Sequence, residues 1–535
     1  MKRETALLTF GIGPVHTFIA QARRVADVWA GSYLLSHLVR QAISVLRRDL
    51  GGEMVFPFIE GELIPDGVPN RFVCRVPADR ATEIALAMQA NIEGAWDTMV
   101  VETVRTLEKY SLRPAADLWI PSRTPGGLRQ TDRLLQFSWS WVSEKEGYAR
   151  ASAEGARRFT AARLFRPFPQ AAEHGEKCAI CGERTALPDG DRGRVRESWE
   201  KAEERAKADQ GADLERFLRF DQGRLCLVCA TKRFFTYHEE RRRSSFKAFD
   251  RFQPSDEAPY FALVKMDGDR MGGILGLGPD LVTGGDLETF HRAVSKALTE
   301  FARDLRLGNS PDLNLETLGG YEPRGEAPQL IYAGGDDALL VCDPRDALPL
   351  VSLLREHYQR SFASVRDLFQ RPEDRERFTS SAAVIFAHSG HPAGLLLRDL
   401  EILLKEKAKA EAGRNAVAIR LDKRSGAPSE VAFRWQDEAA PAEGWMKALG
   451  GLIDRLARRE LSSGQSFSLR LEERTLLGVF QDAGQWQGWL AERLTRNVET
   501  AENAEELARQ VTPFFLERKS AALRIARFLG REVAR

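Results

Sequence analysis

Short apolar runs and long stretches of helical spacing alternate along this chain, and their order carries most of its structural information. Residues 4–10 form an apolar run of strand length, and Gly11, Gly13 and Pro14 predict a turn after it. Residues 15–46 repeat apolar positions at helical spacing, with Gly31 as the expected break. Two more apolar runs, 54–59 and 70–76, precede a long helical pattern over 79–110. Residues 111–255 read as helices and loops, punctuated by Pro and Gly at 121–127 and 187–193.

A second set of strands begins with Phe261-Ala262-Leu263-Val264-Lys265-Met266. It continues with a helix over 286–307, apolar runs at 329–333 and 338–342, a helix over 346–369, a strand at 380–387, a helix over 395–409 and a strand at 416–421. A βαββαβ order with one strand appended is ferredoxin-like. Amphipathic helices are expected over 443–459, 470–480, 486–496 and 504–531, which reads as a bundle. Boundaries near 110, 255 and 430 divide the chain into units 1–110, 111–255, 256–430 and 431–535, an α+β multidomain protein. Its 535 residues fit that division, because a single core rarely serves more than about 250–300 residues.

A formal charge of +1 argues against indiscriminate binding of polyanions, although local patches such as Arg241-Arg242-Arg243 and Arg518, Lys519, Arg524, Arg527, Arg531 and Arg535 survive the averaging. No apolar run is long enough to span a bilayer and Met1 opens no leader pattern, so cytoplasmic residence without membrane contact is the expectation.

Gly334-Gly335-Asp336-Asp337 lies between the apolar runs at 329–333 and 338–342. Two glycines there predict a tight hairpin, since glycine alone enters positive φ without steric cost. Two adjacent carboxylates at the tip repel each other, and a divalent cation is the usual remedy. The strand at 261–266 runs into Asp267-Gly268-Asp269-Arg270, a second acidic cluster at a strand end. If that strand pairs with the hairpin, Asp267, Asp336 and Asp337 converge on one or two Mg²⁺ ions (or Mn²⁺), an arrangement suited to phosphoryl or nucleotidyl transfer. Lys405, Lys407, Lys409 and Arg414 set cations near a helix C-terminus, where phosphate oxygens could pair with them.

Six cysteines in a protein of this kind do not form a disulfide framework. Cys178/Cys181 and Cys226/Cys229 are two Cys-x-x-Cys pairs, and together they predict a closed, structural Zn²⁺ site with the intervening helix over 195–208 bringing the pairs together. Cys74 and Cys342 lie in strand patterns and read as buried small hydrophobes.

The strand ending in Asp267, the Gly334-Gly335-Asp336-Asp337 hairpin, and Ala408-Lys409 followed by Gly413-Arg414-Asn415 resemble the palm domain shared by diguanylate cyclases, class III nucleotide cyclases and CRISPR polymerases. The opening, from Phe10-Gly11-Ile12-Gly13-Pro14-Val15-His16-Thr17-Phe18-Ile19-Ala20-Gln21-Ala22-Arg23-Arg24 through Asp27-Val28-Trp29-Ala30-Gly31-Ser32-Tyr33-Leu34, resembles that of the large subunit of type III-B, Cmr-type CRISPR effector complexes. The resemblance implies two ferredoxin-like, nucleotide cyclase-like palms, the first lacking a Gly-Gly-Asp-Asp hairpin, with a helical zinc-containing insertion and a C-terminal helical bundle. It implies ATP as substrate and cyclic oligoadenylates as product, made when guide crRNA in the complex has paired with target RNA. Asp267, Asp336 and Asp337 would hold the metal with the Gly268 carbonyl, and Gly334, Gly335 and Asp269 would shape the site. Lys409 and Arg414 would steady the leaving phosphates; Ser32 and Arg23 would contact nucleotide from the first palm. The spacing departs from diguanylate cyclases by one residue, three between Lys409 and Gly413 against two. Expected partners are a guide 5′-tag-binding subunit and a small helical subunit packed against the C-terminal end.

Many relatives carry a histidine-aspartate DNase domain, and with eight scattered histidines and no His-Asp dipeptide none is expected here. A palm joining AMP to another metabolite, a silent scaffold, a free-standing cyclase and a templated polymerase stay open as other readings.

Overall fold

The computed structural model describes residues 4–533 apart from 63, 113–129, 133, 166–172, 189, 210–223, 243–258, 308–309, 425, 438–440, 442–443, 461–467, 470–471, 474, 477–478, 481 and 496–500. The Pro/Gly stretch at 121–127, Arg243, Arg535 and much of the helix expected over 470–480 lie outside the described residues.

The first sheet is antiparallel with order β2-β3-β1-β4, formed by β1 (Thr5–Gly13), β2 (Glu53–Phe56), β3 (Arg71–Pro77) and β4 (Gln136–Ser143). Ala6, Leu8, Phe10 and Ile12 alternate toward the core against α2 (Val25–Arg48) and α3 (Ala81–Lys109), while α4 (Tyr148–Leu164) packs on β1 and β4. Three expectations are corrected here. β1 runs straight through Gly11, whose missing side chain leaves room for the Phe159 ring, 2.7 Å from where a Cβ would stand. The helical pattern breaks not at Gly31 but between α1 (His16–Ala20) and α2; Gly31 lies inside α2 because Lys232 and the Ile19 backbone press against it. β4 comes from beyond residue 110, in a region read as helix and loop.

The cysteine-bearing region contributes α5 (Arg192–Ala208) and α6 (Leu227–Arg242). α6 packs between α2 and α3, and its buried Arg233 holds the buried Asp27 through Nε to Oδ1 at 2.9 Å and Nη2 to Oδ2 at 3.0 Å.

The second sheet has order β10-β9-β8-β5-β7-β6, from β5 (Tyr260–Gly268), β6 (Gln329–Gly334), β7 (Asp337–Cys342), β8 (Ser380–His388), β9 (Ala416–Asp422) and β10 (Ser429–Arg434). β5 is central and pairs antiparallel with β7 and β8; β9 runs parallel to β8. Two strands rather than one are thus appended, and β10 crosses the expected boundary at 430. The inner strands are near-continuous apolar runs because both faces are covered. Ala262, Val264 and Met266 meet α7 (Leu287–Asp304), α8 (Ala347–Ser361) and the C-terminal helices. Phe261 and Leu263 face the other way, into the core shared with α2 and α9 (Ala393–Ile402). In both sheets the elements follow βαββαβ with spatial order 4-1-3-2, the ferredoxin-like topology.

The C-terminal helices α10 (Trp445–Ala457), α11 (Ala483–Thr495), α12 (Ala501–Leu516) and α13 (Ala521–Arg527) join the core of the second sheet. The single helix expected over 504–531 is broken after Leu516, where Arg518 takes φ 55° and the Lys519 N–H closes back on the Phe514 carbonyl at 2.6 Å. Cys74 and Cys342 are buried in β3 and β7 as expected. Among the described residues no helix is long and apolar enough to cross a membrane.

Candidate functional site

The β6–β7 hairpin turns at Gly335 and Asp336, with Gly334 paired to Asp337. Of the two glycines only Gly335 needs the left-handed region, at φ 65°. The register of β5 against β7, with Met266 opposite Ala338, carries Asp267 to the level of Asp337, and the Gly268 N–H donates to the Asp336 carbonyl at 3.2 Å. Two segments some 70 residues apart in sequence are thereby held at one sheet end. Gly268 admits no side chain: a Cβ would stand 2.6 Å from the Tyr358 hydroxyl and 2.7 Å from Asp336 Oδ2.

Charge at this tip is costly. Burial, and after it repulsion from Asp337, pushes the Asp336 carboxyl up to about 7. Burial also raises Asp337 against the pull of Lys265, and His16 of α1 and Lys405 are near enough to oppose the rise. Asp337 Oδ1 is buried without a hydrogen-bond partner. The unmatched Asp337 oxygen, with the Asp336 carboxylate, the Asp267 carboxylate and the Gly268 carbonyl at the same sheet end, makes an all-oxygen donor set, which fits a hard divalent cation such as Mg²⁺ or Mn²⁺.

Lys409 belongs to this cluster. Its ammonium contacts the Asp267 carboxylate, donates to the Gly268 carbonyl at 3.1 Å and lies 3.9 Å from Asp269 Oδ1. Burial, with Arg414 and Lys265 nearby, draws its pKa down to about 8, and the Asp267 contact works the other way. α9 continues in wider, π-helical turns over Leu403–Glu411, with the Ala412 N–H reaching the Lys407 carbonyl at 2.9 Å. Such turns take up more residues each, which accommodates the additional residue before Gly413.

Asp269, expected to shape the nucleotide site, lines the cavity that Arg414 rims and serves there as a buried acceptor. It is 2% exposed and accepts from Thr379 Oγ1 at 2.9 Å, Ser381 Oγ at 2.8 Å and the Asn415 N–H at 2.9 Å. Its carboxylate thus fixes the turn of Gly413, Arg414 and Asn415, all at positive φ. Arg414 rims this cavity, of about 390 Å³, together with Arg270, Glu373, Arg377 and Asn415. Arg23 is exposed in the α1–α2 turn and Ser32 is half-buried on α2; among the described contacts no hydrogen bond or ion pair joins either to the acidic residues. The N-terminal unit meets the second sheet's layer by backbone at the start of α9, with the Gly394 N–H on the Ala22 carbonyl at 3.0 Å and the Ala393 N–H on that of Arg23 at 3.2 Å.

Lys265 and Glu401 were not singled out from the sequence. Lys265 is 6% exposed within β5 and pairs with Glu401, which Lys405 also holds at 2.8 Å. Burial disfavours the Lys265 charge, but Tyr332, Asp337 and Glu401 outweigh it and keep its pKa above the usual lysine value. A lysine inside an apolar run was the available signal.

The four cysteines meet as well. The sulfurs of Cys178, Cys181, Cys226 and Cys229 all lie within 4.8 Å of one another, with Cys181 and Cys226 at 3.8 Å. Zn–S bonds of about 2.3 Å in a tetrahedron require S···S of about 3.8 Å, so this cluster fits a structural zinc.

A ferredoxin-like sheet bearing acidic residues at the end of its first strand and on its central hairpin defines a palm-domain protein of the nucleotide cyclase type. Residues 260–418 match the family model described as Cas10/Cmr2, second palm domain, and residues 7–101 that of CRISPR-associated protein Cmr2, N-terminal. Both matched segments are thus similar to the Cas10/Cmr2 family. The chain is 22% identical over 557 residues to the CRISPR system Cmr subunit Cmr2 of Pyrococcus furiosus, across 79% of this chain and 62% of that protein, and so spans less than two thirds of this curated relative. Its fold is shared with the type III-B Cmr-beta structure in the apo state (TM-score 0.58, 13% identity, 93% of this chain and 78% of that one). It is also shared with a Csm1-Csm4 cassette in complex with pppApApA (TM-score 0.50, 11% identity, 98% and 70%).

Proposed function

We propose that this chain is the large subunit of a type III-B CRISPR effector and that its second palm joins ATP into cyclic oligoadenylates when guide RNA in the complex has paired with target RNA. The observation that carries the reading is the convergence of Asp267, the Gly268 carbonyl, Asp336 and Asp337 on one sheet end, with a buried Asp337 oxygen left unmatched. When bound there, Mg²⁺ would supply Lewis acidity toward a 3′-hydroxyl and neutralise the donor triphosphate.

The chain's own residues take the remaining tasks. Asp267, Asp336 and Asp337 provide negative charge at a fixed tip, and the bare Gly268 lets Asp336 close against the strand. Arg414, at the rim of the cavity beside this cluster, faces the phosphates that leave, and Lys409 joins it once released from Asp267. The first βαββαβ unit, completed by β4, acts as the partner palm and borders the nucleotide through the turn around His16 to Arg24. Zinc at the four cysteines is structural, since a closed Cys₄ set leaves no open position. The guide 5′-tag-binding and small helical subunits are the partners this reading requires.

The test is product analysis by mass spectrometry of the assembled complex given ATP and Mg²⁺, with and without matching target RNA. Target-dependent adenylate oligomers that vanish in Asp336→Ala/Asp337→Ala are expected; their absence from the unaltered complex would overturn the reading.

A further inference from the structure

Tyr358 stands beneath the acidic tip and has no role in the chemistry above. It lies on α8, is fully buried, and its ring is fixed by Phe301 at 5.3 Å and Phe362 at 4.8 Å between centroids. Its hydroxyl is buried with no hydrogen-bond partner. The same hydroxyl and Asp336 Oδ2 flank one Cα, that of Gly268, since a Cβ there would touch both. A phenylalanine would fill this aromatic cluster equally well, and burying an unmatched hydroxyl is unfavourable. The oxygen therefore needs a use that packing does not provide.

We infer that Tyr358 is a positioning residue whose hydroxyl donates to the Asp336 carboxylate as that carboxylate turns to take a divalent cation, selecting which oxygen faces the ion. The inference rests on the reading of the acidic tip as a metal seat. Carboxylates that ligate metals are ordinarily held by such outer hydrogen bonds, and losing one costs about 10–100-fold in metal affinity. The glycine at 268 follows from the same arrangement, because any side chain there would stand between the hydroxyl and the carboxylate.

The experiment is a Mn²⁺ titration of the full chain followed by electron paramagnetic resonance, comparing the unaltered protein with Tyr358→Phe and Asp336→Asn, alongside thermal melts without metal. The expected result is an apparent Kd for Mn²⁺ raised about 10-fold or more in Tyr358→Phe, with an altered line shape of the bound ion and a metal-free melt that stays the same or rises. An unchanged Kd in Tyr358→Phe while Asp336→Asn weakens binding would overturn the role of Tyr358 and leave the metal seat standing. No binding by the unaltered protein, or binding indifferent to Asp336→Asn, would overturn both. Failure of Tyr358→Phe to fold would also overturn the inference, because the hydroxyl makes no contact whose loss should unfold the chain.

Discussion

Arg233 closes bidentately on Asp27 from 206 residues away, Nε to Oδ1 at 2.9 Å and Nη2 to Oδ2 at 3.0 Å, with both side chains almost wholly buried. Asp27 also accepts from the Arg23 and Arg24 N–H groups at the start of α2, at 3.3 and 3.2 Å. Burial alone would raise its pKa, but Arg233 and Arg24 outweigh burial and hold it well below the usual carboxylate range. Removing Arg233 should leave the buried carboxylate with the more distant Arg24 and two backbone N–H groups against burial, so Arg233→Met is expected to cost about 3–5 kcal/mol near neutral pH. The sign with pH follows from the depressed pKa: the stabilisation is complete above the unfolded value of about 3.9 and is lost as pH falls below it. Chemical denaturation of both proteins between pH 7 and 3 should therefore show the deficit shrinking toward the acid end; a deficit constant with pH would contradict the pairing.

The residue beside Arg233 extends the same connection to the cysteine cluster. Lys232 is 1% exposed, three residues after Cys229, and donates to the Phe18 carbonyl at 2.9 Å and to that of Gln21. Zinc at the cysteines would thus fix α6, and α6 in turn the 16–27 segment that faces the second palm. Cys226→Ser should abolish the bound zinc, seen as loss of one equivalent by elemental analysis, and should speed hydrogen exchange across residues 16–27 by about tenfold or more, as for a locally opened segment. Zinc loss with unchanged exchange there would sever the proposed connection.

The acidic tip was legible because glycine, strand and carboxylate occur together in it, and the cysteine pairs because their spacing has few other uses. Glycine misled elsewhere. Gly11 and Gly31 were read as turn and break, whereas each lies within a regular element where a neighbour needs the space, Phe159 for one and Lys232 for the other. β4 escaped because its Gln136–Ser143 run mixes serines with aromatics and gains its partners mainly from β1 and α4, elements distant in sequence or later in the chain. Asp269 was legible as acidic but not as a structural acceptor, since Thr379, Ser381 and Asn415 approach it only across β8 and β9.

Lys409 occupies two of the oxygens that the metal reading assigns to a cation, the Asp267 carboxylate and the Gly268 carbonyl. Ammonium and divalent ion cannot share them. Lys409→Met should therefore tighten Mn²⁺ binding in the absence of nucleotide, while raising the KM for ATP by about tenfold or more if the released ammonium serves the phosphates. Calorimetric titration with Mn²⁺ alone and steady-state kinetics with ATP check the two halves separately. Weaker Mn²⁺ binding in the variant would show that the lysine supports the seat rather than competing for it.

Asp269 directly follows Gly268, whose N–H donates to the Asp336 carbonyl, yet substitutions of Asp336 and Asp269 should move stability in opposite directions. Asp336 carries a carboxyl raised to about 7 by burial first and Asp337 second, so ionising it works against the fold. For such a raised acid the native state holds its proton longer than the unfolded chain. Stability then falls as pH climbs from about 4 through 7 in the metal-free protein. Asp336→Asn removes that decline and is expected to add on the order of 1–2 kcal/mol at pH 8, a few degrees in Tm, while abolishing nucleotide transfer. Asp269→Ala removes an acceptor used by Thr379, Ser381 and Asn415, leaves those donors unmatched, and should cost on the order of 2–4 kcal/mol. Melting curves in chelator at pH 5 and pH 8 decide it: the two variants should diverge at pH 8 and the Asp336→Asn gain should largely disappear at pH 5. A loss of stability in both would mean that Asp336 is held by contacts as a structural acid, not kept under strain for a cation.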